Sequence, residues 1–330
     1  MFRTVDGRHN LCRAATIGFL AAGILPMHAQ NFPSGNITIV VPAAPGGGHD
    51  AVARVIGQKL RARLGWTIIV ENRGGANGMI AAEAVAKSRP DGRTILVSTP
   101  ANNYVGPQLR KDMRFNPARD LAQVTLAGVT PIVFVAHPSE KASTFDEMIE
   151  LARTSPGSVS YATTTELGAQ ALSGALIAKL AGITMTAVPY KGAGPATMDV
   201  LSGQVPFGIV GMAPVLPQIR AGKLKALAVM NKARVRWLPD VPAVAETPGM
   251  SEFEMLHWMG VQVQAQTSPD IIRRLNVEIV ETLRAMDVQE ALLAQGIEPV
   301  GNTPEQFGAF VEAERRKAID VIRSTGIGLQ

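Results

Sequence analysis

The chain is poor in the residue types that most often carry chemistry. It has one cysteine, five histidines and 5% aromatic residues among 330 positions. Cys12 precedes an apolar stretch, so it is placed neither for a structural disulfide nor for lipid attachment. No two of His49, His137 and His257 stand at metal-ligand spacing on one helix, and no Gly-x-Ser-x-Gly motif is present. The sequence therefore predicts no metal, no cofactor and no catalytic residue.

Charge is also scarce, at 18% of residues with a formal net of +5. The first 29 residues hold three arginines and one aspartate, a net of +2, which leaves about +3 for the rest. So small a surplus does not support nucleic-acid binding. It is compatible with attraction of small anions.

Residues 1–29 have the features of a secretory signal peptide. Three arginines precede an apolar stretch at 14–25, and a small-residue cleavage end follows at Ala29. The stretch is shorter than the roughly 20 residues that span a bilayer. No twin arginine is present. The sequence therefore predicts Sec-type export to the periplasm, with cleavage near Ala29.

After residue 29 the pattern alternates short β-branched runs with longer segments at helical spacing. This alternation predicts an α/β fold with parallel sheets covered on both faces. Strands are expected at 37–41, 67–70, 94–98, 131–136, 159–163, 185–188, 206–210 and 225–230. Helices are expected at 49–64, 77–88, 144–154, 168–181, 194–202, 213–221, 271–285 and 304–323.

Two segments have the composition of crossings between lobes. One lies near 128–131, and the other is a polar, proline-rich connector at 231–242. If both are hinges, lobe 1 is discontinuous (30–128 plus 231–330) and lobe 2 is 129–230. The prediction is two doubly wound, Rossmann-like lobes with a closing cleft between them.

The run 37–41 leads into a glycine-rich loop and then a helix. Backbone N–H groups at a positive helix end suit a carboxylate or phosphate, and glycines let a ligand approach. The alternative interpretation is a tight turn, and the stretch alone does not separate the two. Asp50 either complements the helix dipole or accepts a hydrogen bond from a ligand. The candidate residues of this loop are Ala44, Gly46, Gly47, Gly48, His49 and Asp50.

Three further loops follow predicted strands. In open α/β sheets, ligands bind outside the carboxyl ends of the strands. The hydroxyl-rich loop before the helix at 168–181 offers more donors than helix capping needs. Lys191 is either a cation for an acidic ligand or a solvated loop residue. The candidates in these loops are Thr99, Ala101, Thr163, Thr164, Thr165, Lys191, Gly192 and Ala193.

An NAD-dependent oxidoreductase is the alternative function. Gly46-x-Gly48-x-x-Ala51 fits the dinucleotide fingerprint, and Glu71 follows 20 residues later, where a ribose-binding acid belongs. Against it, the glycines come four residues after the strand ends. Asp50 would also repel a pyrophosphate, and an exported protein meets little nicotinamide cofactor.

Taken together, the motifs resemble those of the Bug receptors, the solute-binding proteins of tripartite tricarboxylate transporters. The resemblance extends over the whole chain after residue 29. Its markers are VPAAPGGG at 41–48 with Asp50 and Arg54, VENRGGANG at 70–78, PDGRT at 90–94, VPYKG at 188–192 with Pro195, AGKLKALA at 221–228, LPDVP at 238–242 with Glu246, and Trp258.

The resemblance implies a two-lobed periplasmic protein that holds a small carboxylate through backbone N–H groups and water. The implied ligand loops are 44–50 and 162–168, and the implied partners are membrane transporter subunits or a sensor. We expect a monomer. The chain departs from the family at His49, where a small or polar residue is usual, and at Ala171, where a histidine is common. Pro206 and Val210 replace frequent acids, which favours a larger, less polar or aromatic carboxylate.

Overall fold

Two mixed β-sheets organise the part of the chain that the computed structural model describes, residues 32–109 and 113–328. The predicted signal peptide at 1–29 lies outside those residues. The strands are β1 (Ile37–Val41), β2 (Ile68–Asn72), β3 (Thr94–Ser98), β4 (Leu121–Thr130), β5 (Ile132–Ala136), β6 (Ser160–Thr163), β7 (Thr186–Pro189), β8 (Phe207–Gly211), β9 (Lys225–Val229), β10 (His257–Gln264) and β11 (Glu298–Pro299).

Helices alternate with these strands along most of the described chain. They are α1 (Gly48–Leu64), α2 (Met79–Ala86), α3 (Gly106–Leu109), α4 (Pro117–Asp120), α5 (Phe145–Thr154), α6 (Ala169–Ala181), α7 (Ala193–Leu201), α8 (Met212–Arg220), α9 (Pro269–Arg284), α10 (Met286–Ala294) and α11 (Pro304–Thr325). Every helix and strand expected from the sequence is present, with ends that differ by at most two residues. The prediction of an α/β fold is confirmed.

The first sheet has the order β11-β4-β10-β3-β1-β2, and the second has the order β7-β6-β8-β5-β9. Strands β2, β1 and β3 are parallel to one another, as are β7, β6 and β8. Strands β10 and β5 run antiparallel to their neighbours. The expected parallel sheets are therefore mixed sheets, in which β5 and β10 run against the parallel strands.

This difference has two sources: the direction of the predicted strand β5 could not be read from its pattern, and three strands of the first sheet were missed. Neither β4, β10 nor β11 was expected. In β10, Gly260 and the buried Gln262 interrupt the apolar pattern. The side chain of Gln262 is satisfied inside the protein, where its amide nitrogen donates to Gln123 at 2.9 Å and to Asn103 at 3.0 Å. A polar strand of this kind becomes recognisable only once its partners are known.

The C-terminal segment is continuous with the rest of the fold and forms no separate third domain. Strand β10 lies between β3 and β4, and α11 packs against both β4 and α6. The buried ring of Trp258 stacks edge to face with Phe307 of α11, at 5.7 Å between ring centroids. The boundaries of the two predicted lobes stay a prediction. None of the described helices is long and apolar enough to cross a membrane.

Gly260 tests the packing of α11 on β10. A Cβ added at Gly260 would lie 2.0 Å from Cζ of Phe307, whereas one at Gly308 on α11 would meet only Gln123 Cγ at 3.9 Å. Gly260→Ala should therefore lower the free energy of unfolding by about 1–3 kcal/mol through overpacking. Gly308→Ala should raise it by up to about 1 kcal/mol, because a helical glycine loses more chain entropy. Urea denaturation measures both, and shifts of the same sign would contradict this packing.

Candidate functional site

A cavity lies at the strand ends where loops from both sheets meet. Its volume is about 630 Å³, with the solvent-filled mouth included. The lining comes from the loops after β1, β2, β3, β6, β7 and β8, from the end of β4 and from the start of β10. The cavity therefore stands where open α/β sheets place their ligands.

Most of the residues predicted from the sequence line this cavity. They are Ala44, Gly47, Gly48, His49, Asp50, Thr99, Ala101, Thr164, Thr165, Gly192 and Ala193. Gly46, Thr163 and Lys191 do not. Thr163 is fully buried behind the loop, and Lys191 is exposed, so the structure does not bring its ammonium group to the cavity.

Four helices begin at this cavity, and each has a glycine as its N-cap. The N-caps are Gly47 of α1, Gly168 of α6, Gly192 of α7 and Gly211 of α8, and no side chain caps any of them. The first N–H groups of a helix have no partner inside the helix. The positive ends of four helix dipoles therefore converge on one space. The free donors come mainly from α1, α6 and α7, because at α8 the Met212 N–H donates to the Pro131 carbonyl at 2.9 Å and Pro214 has no N–H.

Helices that begin away from the cavity are mostly capped in the ordinary way. Side chains of Asn116, Thr144, Ser268 and Thr303 accept N–H groups at the starts of α4, α5, α9 and α11. Helices α2 and α10 also lack a side-chain cap, so a missing cap alone does not mark a site. The convergence of four uncapped starts is what distinguishes the cavity.

Asp50 fixes the glycine loop. Its Oδ2 accepts hydrogen bonds from the Gly46 N–H at 3.2 Å and from Arg54 Nε at 3.0 Å. Its Oδ1 accepts Asn72 Nδ2 at 3.1 Å and pairs with Arg54 Nη2 at 3.0 Å. Burial opposes ionisation, but the hydrogen bonds from Arg54, Asn72 and Gly46 outweigh it and lower the pKa of Asp50. Its carboxylate is therefore occupied by protein donors, beyond the simple dipole role expected from the sequence.

Loops from the two sheets contact each other beside the cavity. The Ala44 N–H donates to the Lys191 carbonyl at 3.0 Å, so Lys191 contributes its backbone here. Gly192 has φ of 138°, and a Cβ there would lie 3.1 Å from the Ala44 nitrogen. Asn77 Oδ1 accepts the N–H groups of Glu166 and Leu167 at 3.0 and 3.3 Å. These contacts hold the two sets of loops against each other.

Two histidines meet in the cavity wall. The rings of His49 and His257 lie edge to face at 4.7 Å, and Gln170 Nε2 lies 3.0 Å from His257 Nδ1. Burial lowers the pKa of His49 to about 4, against the opposing effect of a hydrogen bond to the Trp258 backbone. Burial, and then the neighbouring His49, lower the pKa of His257 well below its usual value. Both rings are therefore neutral at neutral pH.

Comparison with known proteins identifies the family. The model of the tripartite tricarboxylate transporter family receptor matches residues 52–327. The chain belongs to that receptor family. Protein BugT of Bordetella pertussis is 39% identical over 321 residues, which cover 96% of this chain and 98% of BugT.

Solved structures agree with this assignment. Periplasmic binding protein BugD matches the receptor with a TM-score of 0.84 at 29% identity, covering 90% of this chain and 99% of BugD. A Rhodopseudomonas palustris protein solved with adipate matches with a TM-score of 0.85 at 30% identity, and the match covers 90% of this chain and 99% of that protein. MatC of the same organism, with bound malate, matches with a TM-score of 0.82 at 28% identity, and the match covers 88% of this chain and 100% of MatC. The receptor therefore has the two-lobed α/β fold of periplasmic binding proteins.

The oxidoreductase alternative finds no support in these matches, because the family and the structural neighbours are binding proteins. Glu71, its proposed ribose-binding acid, is half-exposed and forms an ion pair with Arg73. Asp50 occupies the glycine loop with a charge that a pyrophosphate would meet.

Sequence reasoning missed four polar residues of the receptor's cavity, Asn77, Thr130, Gln170 and His257. Asn77 lies in the VENRGGANG motif, with φ of 56°, which asparagine tolerates better than most residues. Gln170 lies in the first turn of α6, one position before Ala171 and just beyond the candidate loop at 162–168. His257 begins a strand that was not expected, so no local signal connected it to the glycine loop.

The buried histidines predict a pH dependence of stability. Unfolded His49 titrates near 6.5 and folded His49 near 4, so the unfolded chain binds more protons between these values. The contribution of the lowered His49 pKa to the free energy of unfolding should be fully present above pH 6.5. It should fall by roughly 3 kcal/mol by pH 4, at about 1.4 kcal/mol per pH unit, and His257 adds a loss of the same sign.

His49→Asn removes this titration while its amide can still donate to the Trp258 backbone. Denaturant unfolding between pH 7.5 and pH 4 should then show a shallower decline than in the parent receptor. Identical pH profiles for the two proteins would show that His49 is not held neutral by burial.

Proposed function

We propose that this chain is a periplasmic solute-binding receptor that captures a small dicarboxylate in the cavity between the loops of the two sheets. The observation that carries the proposal is the convergence of four helix starts with glycine N-caps. None of the described residues that line the cavity is a lysine or arginine. Backbone N–H groups and helix dipoles would therefore supply the attraction for a carboxylate.

The magnitudes suit reversible capture. A hydrogen bond to a charged group contributes roughly 1.5–3 kcal/mol, and a helix N-terminus adds about 0.3–1 kcal/mol, or more where partly buried. Three such bonds contribute roughly 4.5–9 kcal/mol before the entropy lost on binding is subtracted, which favours moderate, reversible affinity over near-permanent capture. Because the donors are fixed in the backbone, little reorganisation accompanies binding. A receptor that must release its ligand gains from such moderate affinity.

The ligand class follows from the lining and from the relatives. Two related structures contain adipate and malate, both aliphatic dicarboxylates. The larger, less polar or aromatic acid expected from Ala171, Pro206 and Val210 stays an alternative. Gln170 and His257 add polar groups to the cavity wall, which favours the dicarboxylate.

We infer that the receptor binds its ligand without transforming it. Among residues 32–109 and 113–328, no cluster of three histidine, cysteine, aspartate or glutamate side chains could hold a metal ion. The one lining carboxylate, Asp50, is committed to the loop, and both histidines are held neutral. No catalytic group, NAD or other cofactor is therefore part of the proposal.

The remaining assignments extend the same proposal. Export would use the signal peptide at 1–29, with cleavage near Ala29. The lobes would be 30–128 plus 231–330 and 129–230, and closure about their crossings would bring the loops over the ligand. A monomer would then present the closed form to membrane transporter subunits or to a sensor. No nucleic acid is expected as a partner.

Gly48 allows the N–H donors to be tested singly. It is the first helical residue of α1, where proline is tolerated best, and an added Cβ would make only ordinary contacts, the nearest at 3.7 Å to Met259 Sδ. Gly48→Pro deletes one N–H, whereas Gly48→Ala keeps it. We expect Gly48→Pro to weaken binding about 10- to 150-fold relative to Gly48→Ala, the effect of one charge-assisted hydrogen bond.

The measurement is calorimetric titration of both variants with malate and with adipate, after circular dichroism confirms folding. Lys191→Ala is the control, because its exposed side chain lies outside the cavity, and its affinity should equal that of the parent. Equal affinities of Gly48→Pro and Gly48→Ala would show that the Gly48 N–H does not contribute to binding, and would contradict the proposed role of the start of α1.

A further inference from the structure

The cavity wall contains a buried acceptor that no group among residues 32–109 and 113–328 uses. His49 is 7% exposed and lines the cavity, and within that part of the chain its Nε2 atom has no hydrogen-bond partner. An unpaired buried polar atom is unfavourable, so native proteins rarely keep one without a function.

The hydrogen bonds of the two histidines define what Nε2 can do. Because Nε2 has no partner, the bond from the His49 ring to the Trp258 backbone leaves from Nδ1, which must carry the proton to donate to a carbonyl. In a neutral ring the other nitrogen is then an acceptor. His257 receives the Gln170 amide at its own Nδ1, so it offers His49 no competing donor through that atom.

The charged group on this helix turn, the Asp50 carboxylate, is already satisfied. The four lone-pair positions of the Asp50 carboxylate meet the Gly46 N–H, Asn72 Nδ2 and two nitrogens of Arg54. A ligand donor that enters here is therefore directed to His49. A second unpaired atom, the hydroxyl oxygen of Thr165, also belongs to the cavity lining.

We propose that the receptor selects hydroxy-carboxylates, and that His49 Nε2 accepts the hydrogen bond from the ligand hydroxyl. This inference rests on the proposed function, since the carboxylate itself would be held by the helix starts. The backbone N–H of His49 lies in the first turn of α1, so one residue offers a donor to the carboxylate and an acceptor to a neighbouring hydroxyl.

Selectivity should be strong because the site would pair with a hydroxyl and leave Nε2 unpaired without one. Sites built in this way reject the analogue that lacks the group. We expect malate to bind at least about 10-fold more tightly than succinate, and 2-hydroxyglutarate more tightly than glutarate by a similar factor. Each pair differs by one hydroxyl, so size and charge are matched.

Two substitutions at His49 distinguish the role of the Nδ1 donor from that of the Nε2 acceptor. Asparagine can replace the Nδ1 donor but is too short to place an acceptor at the position of Nε2. His49→Asn should therefore bring the affinities for the two acids of each pair within about threefold of each other. Glutamine can place its amide oxygen near the position of Nε2, so His49→Gln should recover part of the preference. Thr197→Val is the control, because the Thr197 hydroxyl is likewise buried and unpaired but lies outside the cavity lining. It should leave the preference unchanged.

The titrations are run on the signal-free receptor at pH 7.5 in two buffers of different ionisation enthalpy. Equal enthalpies mean that no proton is taken up, as expected for a neutral His49 that accepts a hydrogen bond. Uptake of one proton would overturn the inference, because His49 would then act as a cation toward the ligand.

The outcomes separate the two proposals. If succinate binds as tightly as malate, or if His49→Asn keeps the preference of the parent, the hydroxyl inference fails while the carboxylate receptor stands. If none of malate, succinate, 2-hydroxyglutarate, glutarate and adipate binds, the proposed function itself fails, and the inference with it.

Discussion

In the proposed mode of binding, the site depends on the attraction between an anion and the exposed N–H groups of helix starts. The described residues that line the cavity include no lysine or arginine, so fixed dipoles would replace the ionic partner of a carboxylate. Glycine N-caps leave those donors free and keep side chains away from them, as at Gly47 and Gly168. The structure around the cavity serves to hold four helix starts at one place. Asp50 does this for α1 by binding Gly46, Asn72 and Arg54.

Neutrality of the cavity wall is the second constraint, and it complements the first. A permanent cation beside the helix starts would bind any small anion, whereas a neutral polar wall can distinguish ligands by their hydrogen-bonding groups. Burial keeps His49 and His257 uncharged, and their mutual contact at 4.7 Å disfavours protonation of either ring. The same burial makes the fold sensitive to acid, so ligand discrimination and acid stability are linked through one pair of rings.

Sequence reasoning succeeded where the signal was local. The β-branched run of β1, the glycine loop and the apolar spacing of α1 are contiguous, so the binding loop could be predicted together with its helix. It failed where the determinant was distant. Strand β10 depends on pairing with β3 and β4, more than a hundred residues away, and its Gln262 is polar yet fully buried. The sequence therefore could not predict that His257 contacts His49. Nor could the loop around Lys191 show that its side chain is exposed.

A crystal structure of the receptor grown with malate, the acid found in one related structure, tests the central claim most directly. The account predicts one malate carboxylate in the cavity, with its oxygens about 2.7–2.9 Å from backbone nitrogens in the first turns of α1, α6, α7 or α8. No lysine or arginine side chain should contact it. A malate carboxylate paired with an arginine or lysine, or malate bound outside the cavity, would contradict the account.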